Sequence, residues 1–334
     1  MTIPASEHLL VIGIIFIALI FDFINGFHDA ANAIATVVAT KVLPPLYAVA
    51  MAATFNFIGP FALGVAVAET IGTGIIQPDM VDSWVILSAL LGAILWDLIT
   101  WWLGLPTSSS HALIGGLIGA VLCKGKHLDL VIWSGVGKVA AFMLVAPLMG
   151  FCGSLLVTIA ALHICKNMPS HRVNLYFRRL QLISAALYSL SHGTNDAQKV
   201  MGIIAILLFS NGWLSYFHVP WWTIFVCALA MGIGTLFGGW RIIRTMAQRL
   251  TNLRPYQGFS AETASSLVLG GMALGGIPVS TTHVITAGII GVGAVRTVSA
   301  VRWGVAISIV WAWILTLPMA GVLAFIWHLI LVGW

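Results

Sequence analysis

Two short segments of this chain carry nearly the same polar sequence: Gly26-Phe27-His28-Asp29-Ala30-Ala31-Asn32-Ala33 and Gly193-Thr194-Asn195-Asp196-Ala197-Gln198-Lys199. Each sets a carboxylate among amides inside a long apolar run, where an ionisable group is costly and marks a path for an ion or substrate. Asp29 and Asp196 lie 167 positions apart, half the length of the chain. A second pair is duplicated in the same way: Pro106-Thr107-Ser108-Ser109-Ser110-His111 returns 172 positions later as Pro278-Val279-Ser280-Thr281-Thr282-His283. Two duplicated polar motifs in an apolar chain point to a transporter built from two related halves.

In the first motif Asp22, Asn25, Asp29 and Asn32 are spaced 3, 4 and 3. On a helix they fall within an arc of about 80°, so two carboxylates and two amides share one stripe. That stripe offers hard oxygen ligands for Na⁺ and titratable groups for H⁺. A polar seam between helices is the plainer reading, but two Asp in four positions make it expensive. The aligned stripe of the second half reads Ser189, His192, Asp196 and Lys199, with Asn195 beside it. Where the first half has Asn32 the second has a cation. Lys199 can neutralise Asp196 one turn away, or meet a transported anion.

The two hydroxyl-rich segments each follow a Gly-containing break and precede a Gly-rich stretch. Proline suits the start of a helix and Ser or Thr its cap, so both segments are expected to be helix N-termini buried in the membrane. Such a terminus presents free N–H groups and a positive dipole end, a ready anion site. Thr107, Ser108, Ser109, Ser110, Ser280, Thr281 and Thr282 are therefore candidate ligands of a tetrahedral oxyanion, with plain capping as the alternative for any one of them. His111 and His283 follow the hydroxyls. A Ser–His hydrolase does not fit, because it needs a third orienting group and duplication explains nothing about hydrolysis. His28 and His192, beside the motif carboxylates, are the candidates for a proton relay. Glu262 reads as a carboxylate near a helix start. Glu69 and Asp97 have no motif partner.

The elements that must hold these residues are apolar helices. The chain is 60% hydrophobic and 7% charged, against about a quarter charged in soluble domains, so it is an integral membrane protein. Its net charge of +5 comes from loops between apolar runs and implies no nucleic-acid surface. Met1 to His8 lacks the basic start of a cleaved signal peptide, so the first run is expected to be retained. Cys123, Cys152, Cys165 and Cys227 are scattered and read as small core residues. Ten apolar runs can be marked, 7–39, 46–70, 84–103, 108–123, 131–163, 180–209, 221–244, 261–275, 280–295 and 303–333. They predict an all-α polytopic membrane protein of ten to twelve segments, with broken or re-entrant helices at the short Gly-rich runs.

Residues 1–163 form one repeat, 164–179 a linker and 180–334 the other. The basic residues of the linker (Lys166, Arg172, Arg178, Arg179) and of the loop after run seven (Arg241, Arg244, Arg249, Arg254) place both on the cytoplasmic side. Five crossings per half then invert one half relative to the other, put both termini outside and bring the hydroxyl motifs in from opposite faces. Lys124 and Lys126 fall on the wrong side in this scheme.

These motifs resemble the paired signatures of the inorganic phosphate transporter (Pit) family, on Gly26 to Ala33, Gly193 to Gly202 and the two Pro-x-Ser/Thr-rich-His segments. The resemblance covers the whole chain. It implies secondary-active phosphate symport across the bacterial inner membrane by a 12-segment protein, both termini outside, with alternating access around a midplane site. It assigns the coupling ion to Asp22, Asn25, Asp29, Asn32, Asn195 and Asp196, and phosphate to Thr107 to Ser110 and Ser280 to Thr282. No resident cofactor is expected. The partners are phosphate, H⁺ or Na⁺, membrane lipid and, in a homo-oligomer, a second copy; a divalent metal can travel with the phosphate. The chain departs from the commonest signature at His28, where the family has Asn, and at Gln198-Lys199, where many members repeat Ala-Asn. Both changes resemble the proton-coupled branch. A sulfate permease and, from another class, an anion channel are the alternatives.

Overall fold

In hydrocarbon a backbone has no water to bond, so its N–H and C=O groups must satisfy one another within the segment. This chain does so with helices. The computed structural model describes residues 5–77, 81–295 and 297–333. Twelve α-helices are found among them: α1 Ala5–Ala39, α2 Pro45–Ile58, α3 Ala66–Thr73, α4 Ser83–Leu103, α5 Ser109–Gly125 and α6 Trp133–Ile164, then α7 Ser170–Ser210, α8 Trp221–Phe237, α9 Trp240–Arg244, α10 Pro255–Leu274, α11 Thr281–Ala294 and α12 Trp303–Val332. No strand is present among the described residues, only an isolated antiparallel bridge between Ile76 and Val131.

By length and composition α1, α4, α6 and α12 can each cross a membrane, while α2–α3 and α8–α9 are spans bent by 75° and 57°. Both breaks contain a glycine with positive φ, Gly64 between Phe61 and Ala66 and Gly238 between Phe237 and Trp240. The short apolar helices are α5 and α11. The remaining two, α7 and α10, carry polar residues that face the protein interior rather than lipid. The chain is thus an all-α polytopic membrane protein with broken helices.

Two helices reach beyond their apolar runs. The polar stretch 164–179 is mostly helix, because Pro169 sets the start of α7 at Ser170 and the basic residues simply extend it beyond the apolar part. The eighth run opens at Pro255 rather than 261, since the polar turn Tyr256–Ser260 packs inside the molecule, where Gln257 donates to the Val292 carbonyl at 2.8 Å. Glu262 is therefore not near the helix start.

One end of the molecule gathers the arginines. There Arg178 donates to the Lys41 carbonyl and Arg302 to the Gln248 carbonyl. At the other end lie the start of α1, where His8 meets Trp213, and the start of α4, where Asp82 caps the helix. Lys124 pairs with Asp82 at 2.8 Å, which accounts for a lysine at the end with few cations. Both α1 and α12 have their outer termini at this end, since Ser88 in the first half of α4 meets His328 near the end of α12.

The motif glycines let helices cross backbone to backbone. A Cβ on Gly26 would sit 2.3 Å from the Met231 carbonyl oxygen, and one on Gly193 would sit 2.3 Å from that of Asn56. These equivalent glycines seat α1 on α8 and α7 on α2, so the carboxylate three residues beyond each crossing is held at the centre of the bundle.

Candidate functional site

Two helix N-termini meet at the centre. Ser108 and Ser280 have extended backbones and their hydroxyl oxygens accept from the His111 and His283 N–H groups, at 3.3 and 3.2 Å. They are caps, and capping leaves the N–H groups of Ser109, Ser110, Thr281 and Thr282 in the first turns without an intrahelical acceptor. Before α5 the link bends at Gly104, whose φ of 70° suits glycine. The Pro106 carbonyl of this link accepts from the Trp313 indole at 2.9 Å. Behind the hydroxyls the His111 and His283 rings lie 4.9 Å apart, and His283 stacks on Trp313. The structure thus places the two histidines at the junction of the halves, not beside the motif carboxylates.

The stripes of α1 and α7 supply the other wall, and their contacts with the hydroxyls repeat in register. Ser109 lies 3.4 Å from the Asp29 carboxylate and donates to Asn25 at 2.7 Å, while Thr281 donates to Asp196 at 2.9 Å. Ser110 bonds to Lys199, and Thr282 accepts from Asn32 at 2.8 Å. The pairs correspond position by position, because Asp29 aligns with Asp196, Asn32 with Lys199, Ser109 with Thr281 and Ser110 with Thr282. The last two contacts join one half to the other. Thr282 also reaches Asp29 at 3.4 Å.

Each motif carboxylate has a histidine. The His28 Nδ1 lies 2.7 Å from Asp29, and the His192 Nε2 lies 3.0 Å from Asp196. Asn25 aligns with His192 and His28 with Asn195, so each half holds one His and one Asn at these two positions, exchanged between halves. Lys199 bonds to Asp196 and Ser110, and reaches the Val279 carbonyl at 3.3 Å. Atoms of Asp29, His192 and Asp196 that could ligate a metal all lie within 4.8 Å of one another. No residue of this centre is more than 6% exposed. Fixed donors and charges in so dry a place act with little screening.

Other sequence candidates are placed differently. Thr107 turns from the hydroxyl cluster, donating to Thr100 at 2.9 Å and lying 3.4 Å from the His28 Nε2. Asn195 donates to the Ser191 and Leu269 carbonyls. Asp22 is fully buried beside Asn25 and Cys227, one turn from the crossing.

The structure also places residues to which the sequence assigned no role in the site. The Asn56 amide oxygen accepts from the His192 Nδ1 at 3.1 Å, and its amide nitrogen donates to Thr235. Gln198 caps α3, accepting from the Val67 N–H at 2.9 Å. Glu262 is fully buried and accepts from Gln181 at 3.0 Å and from Ser184; Gln181 in turn accepts from Thr40. Asp97 is buried with no donor to its carboxylate among the described residues. The only signal for the last two was a carboxylate inside an apolar stretch.

Carboxylate–histidine pairs, one lysine and four hydroxyls at facing helix N-termini can hold an anion together with a cation. Comparison with known proteins agrees. A relative from Rhizobium meliloti, described as "Probable low-affinity inorganic phosphate transporter", is 53% identical over 316 residues, 94% of each chain. One from Bacillus subtilis with the same description is 44% identical over 327 residues, 97% of each chain. A solved structure titled "The sodium-dependent phosphate transporter" shares the fold, with a TM-score of 0.86 over 97% of this chain and 99% of that one, at 22% identity. The description "Phosphate transporter family" fits residues 25–171 and 161–324, the two halves in turn. With its duplicated motifs brought face to face, the chain belongs to the phosphate transporter family, and it is a transporter rather than an enzyme.

Proposed function

We propose that the chain imports inorganic phosphate by proton symport, with alternating access around the site between its halves. The observation that carries this reading is the placement of Lys199, joined at once to Asp196 of its own motif and to Ser110 of the other half. A fixed ammonium stands where the first half has Asn32, and it supplies the positive charge that a bound sodium would supply in a more symmetric site. His192 approaches the same carboxylate at 3.0 Å, so Asp196 already has two cationic partners when His192 is protonated. A sodium ion there would be a third cation beside the Asp196 and Asp29 carboxylates. The two His–Asp pairs give each half a group that can take and release a proton.

Phosphate is the anion that fits best. It carries protons that the centre's acceptors (Asp29, Asp196, the Asn32 carbonyl) can receive, whereas sulfate has none to give at neutral pH. The hydroxyls and N–H groups of Ser109, Ser110, Thr281 and Thr282 are the donors to it, with Lys199. Asp22 and Asn195 complete the coupling group, and Ser108 and Ser280 act through the caps. The arginine-rich end faces the cytoplasm and both termini the periplasm of a bacterial inner membrane. The repeated contacts support two inverted repeats, residues 1–163 and 180–334.

Uptake into proteoliposomes with one gradient imposed at a time tests this. A pH gradient, acid outside, in sodium-free medium should drive phosphate above its own gradient, and an ionophore should collapse it. Concentrative uptake that requires sodium and ignores pH would overturn proton coupling. Passage that never exceeds the phosphate gradient would make the protein a channel.

A further inference from the structure

The arginine-rich end holds a cavity that the transport site does not use. It has a volume of about 420 Å³ and is lined by Trp102, Trp240, Arg241, Arg244, Thr245 and Arg249, together with the end of α4. None of the three arginines meets a carboxylate among the described residues. Arg241 is fixed by a bond to the Trp102 carbonyl at 2.7 Å and lies over the Trp101 and Trp102 rings, 5.3 and 5.9 Å from their centroids. Arg244 and Arg249 are exposed. The α9 turn runs on into a π-turn, Thr245–Arg249, which sets Arg249 on the rim with Arg241 and Arg244.

A second cavity of about 350 Å³ adjoins the first and shares Trp240 and Arg244 with it. Its other walls include Val38, Pro45 and Ile243. A loop that only obeys the positive-inside rule needs cations, but it does not need them to share a cavity with indole rings beside an apolar cleft. Exposed Trp102 and Trp240 are the residue type that sits at headgroup level in a membrane. Three cations that meet no carboxylate among the described residues, next to that level, match a phosphodiester, and the cleft beside them matches the start of an acyl chain.

We propose that this paired cavity binds an anionic phospholipid, its headgroup phosphate among Arg241, Arg244 and Arg249 and one chain in the cleft of Val38, Pro45 and Ile243. The bound lipid bears on the transport site through one link. Thr245 donates to the Gly104 carbonyl at 2.8 Å, and Gly104 begins the turn that carries Thr107 to Ser110 into the centre. An occupied cavity steadies α9 against α4 and so holds the first hydroxyl motif in place. This effect on transport rests on the proposed function, whereas the binding does not.

The test uses the purified full chain and the variant R244Q/R249Q. In detergent, a short-chain phosphatidylglycerol should raise the unfolding temperature of the wild type, and the matching phosphatidylcholine should not. The variant should bind phosphatidylglycerol about 30-fold more weakly, the worth of two cations near a membrane surface. Arg249→Gln alone, at an exposed side chain, carries the same comparison with a smaller loss if the double variant does not fold. In vesicles, adding phosphatidylglycerol to phosphatidylcholine should speed wild-type uptake and leave the variant at the rate both show in phosphatidylcholine alone. Equal stabilisation of wild type and variant would overturn the site. Stabilisation by inorganic phosphate as strong as by phosphatidylglycerol, lost in the variant, would overturn the lipid and give the cavity to free phosphate. Lipid binding that depends on the arginines in a protein that carries no phosphate would uphold the site and refute the transport reading instead.

Discussion

Replacing Lys199 by Met separates the two things this side chain does. Methionine keeps most of the volume but removes an ammonium that bonds to Asp196, to Ser110 and, at 3.3 Å, to the Val279 carbonyl. Asp196 then keeps Thr281 at 2.9 Å and His192 at 3.0 Å. Breaking a buried ion pair from one side costs about 3–5 kcal/mol, and here the lower end applies because Thr281 and His192 still face the carboxylate. Melting in detergent should therefore show a clear loss for K199M and recovery in D196N/K199M, which removes both charges. Transport should not recover with it. Losing a charged donor to the anion costs about 1.5–3 kcal/mol, so phosphate needed for half-maximal exchange should rise about 10- to 150-fold. Undiminished uptake by K199M over the same phosphate range, with an unchanged response to pH, would refute the assignment of Lys199 to the site.

The neutral variants D29N and D196N should each abolish accumulation driven by a gradient while phosphate exchange persists, measured as counterflow of labelled phosphate. S109A/T281A should raise the phosphate needed for half-maximal uptake with little change in melting temperature. The caps should behave in the opposite way: S108A/S280A should lose about 1 kcal/mol of stability per cap and keep the phosphate dependence of whatever protein folds. Gly193→Ala should lower stability by about 1–3 kcal/mol, because its Cβ would fall 2.3 Å from the Asn56 carbonyl oxygen; an unchanged melting temperature would show that α7 and α2 do not cross so closely.

The centre of the molecule was legible because its chemistry is written twice. Asp29 and Asp196, and the hydroxyls after Pro106 and Pro278, stand out against apolar surroundings, and their spacing alone puts them on stripes and at helix starts. What the sequence left hidden depends on partners far along the chain. Nothing near Asn56 says that it holds His192, 136 residues away. Nothing near Gln198 says that it caps α3 rather than joining the motif. Glu262 looked like a helix-start carboxylate because the polar turn before it resembles a loop, yet that turn is helical and buried. Among the hydroxyls the sequence could not sort caps from donors. The structure does so by a single residue step, Ser108 and Ser280 turned to the backbone, their neighbours to the carboxylates.

The central claim is that protons travel with phosphate through this pair of His–Asp sites. Proteoliposomes with a pH dye trapped inside, held in sodium-free medium, test it when phosphate is added outside. The account predicts that the interior acidifies as phosphate enters, more slowly in H28Q, and that adding sodium changes neither rate. Phosphate entry with no pH change, or entry that begins only when sodium is supplied, would contradict it.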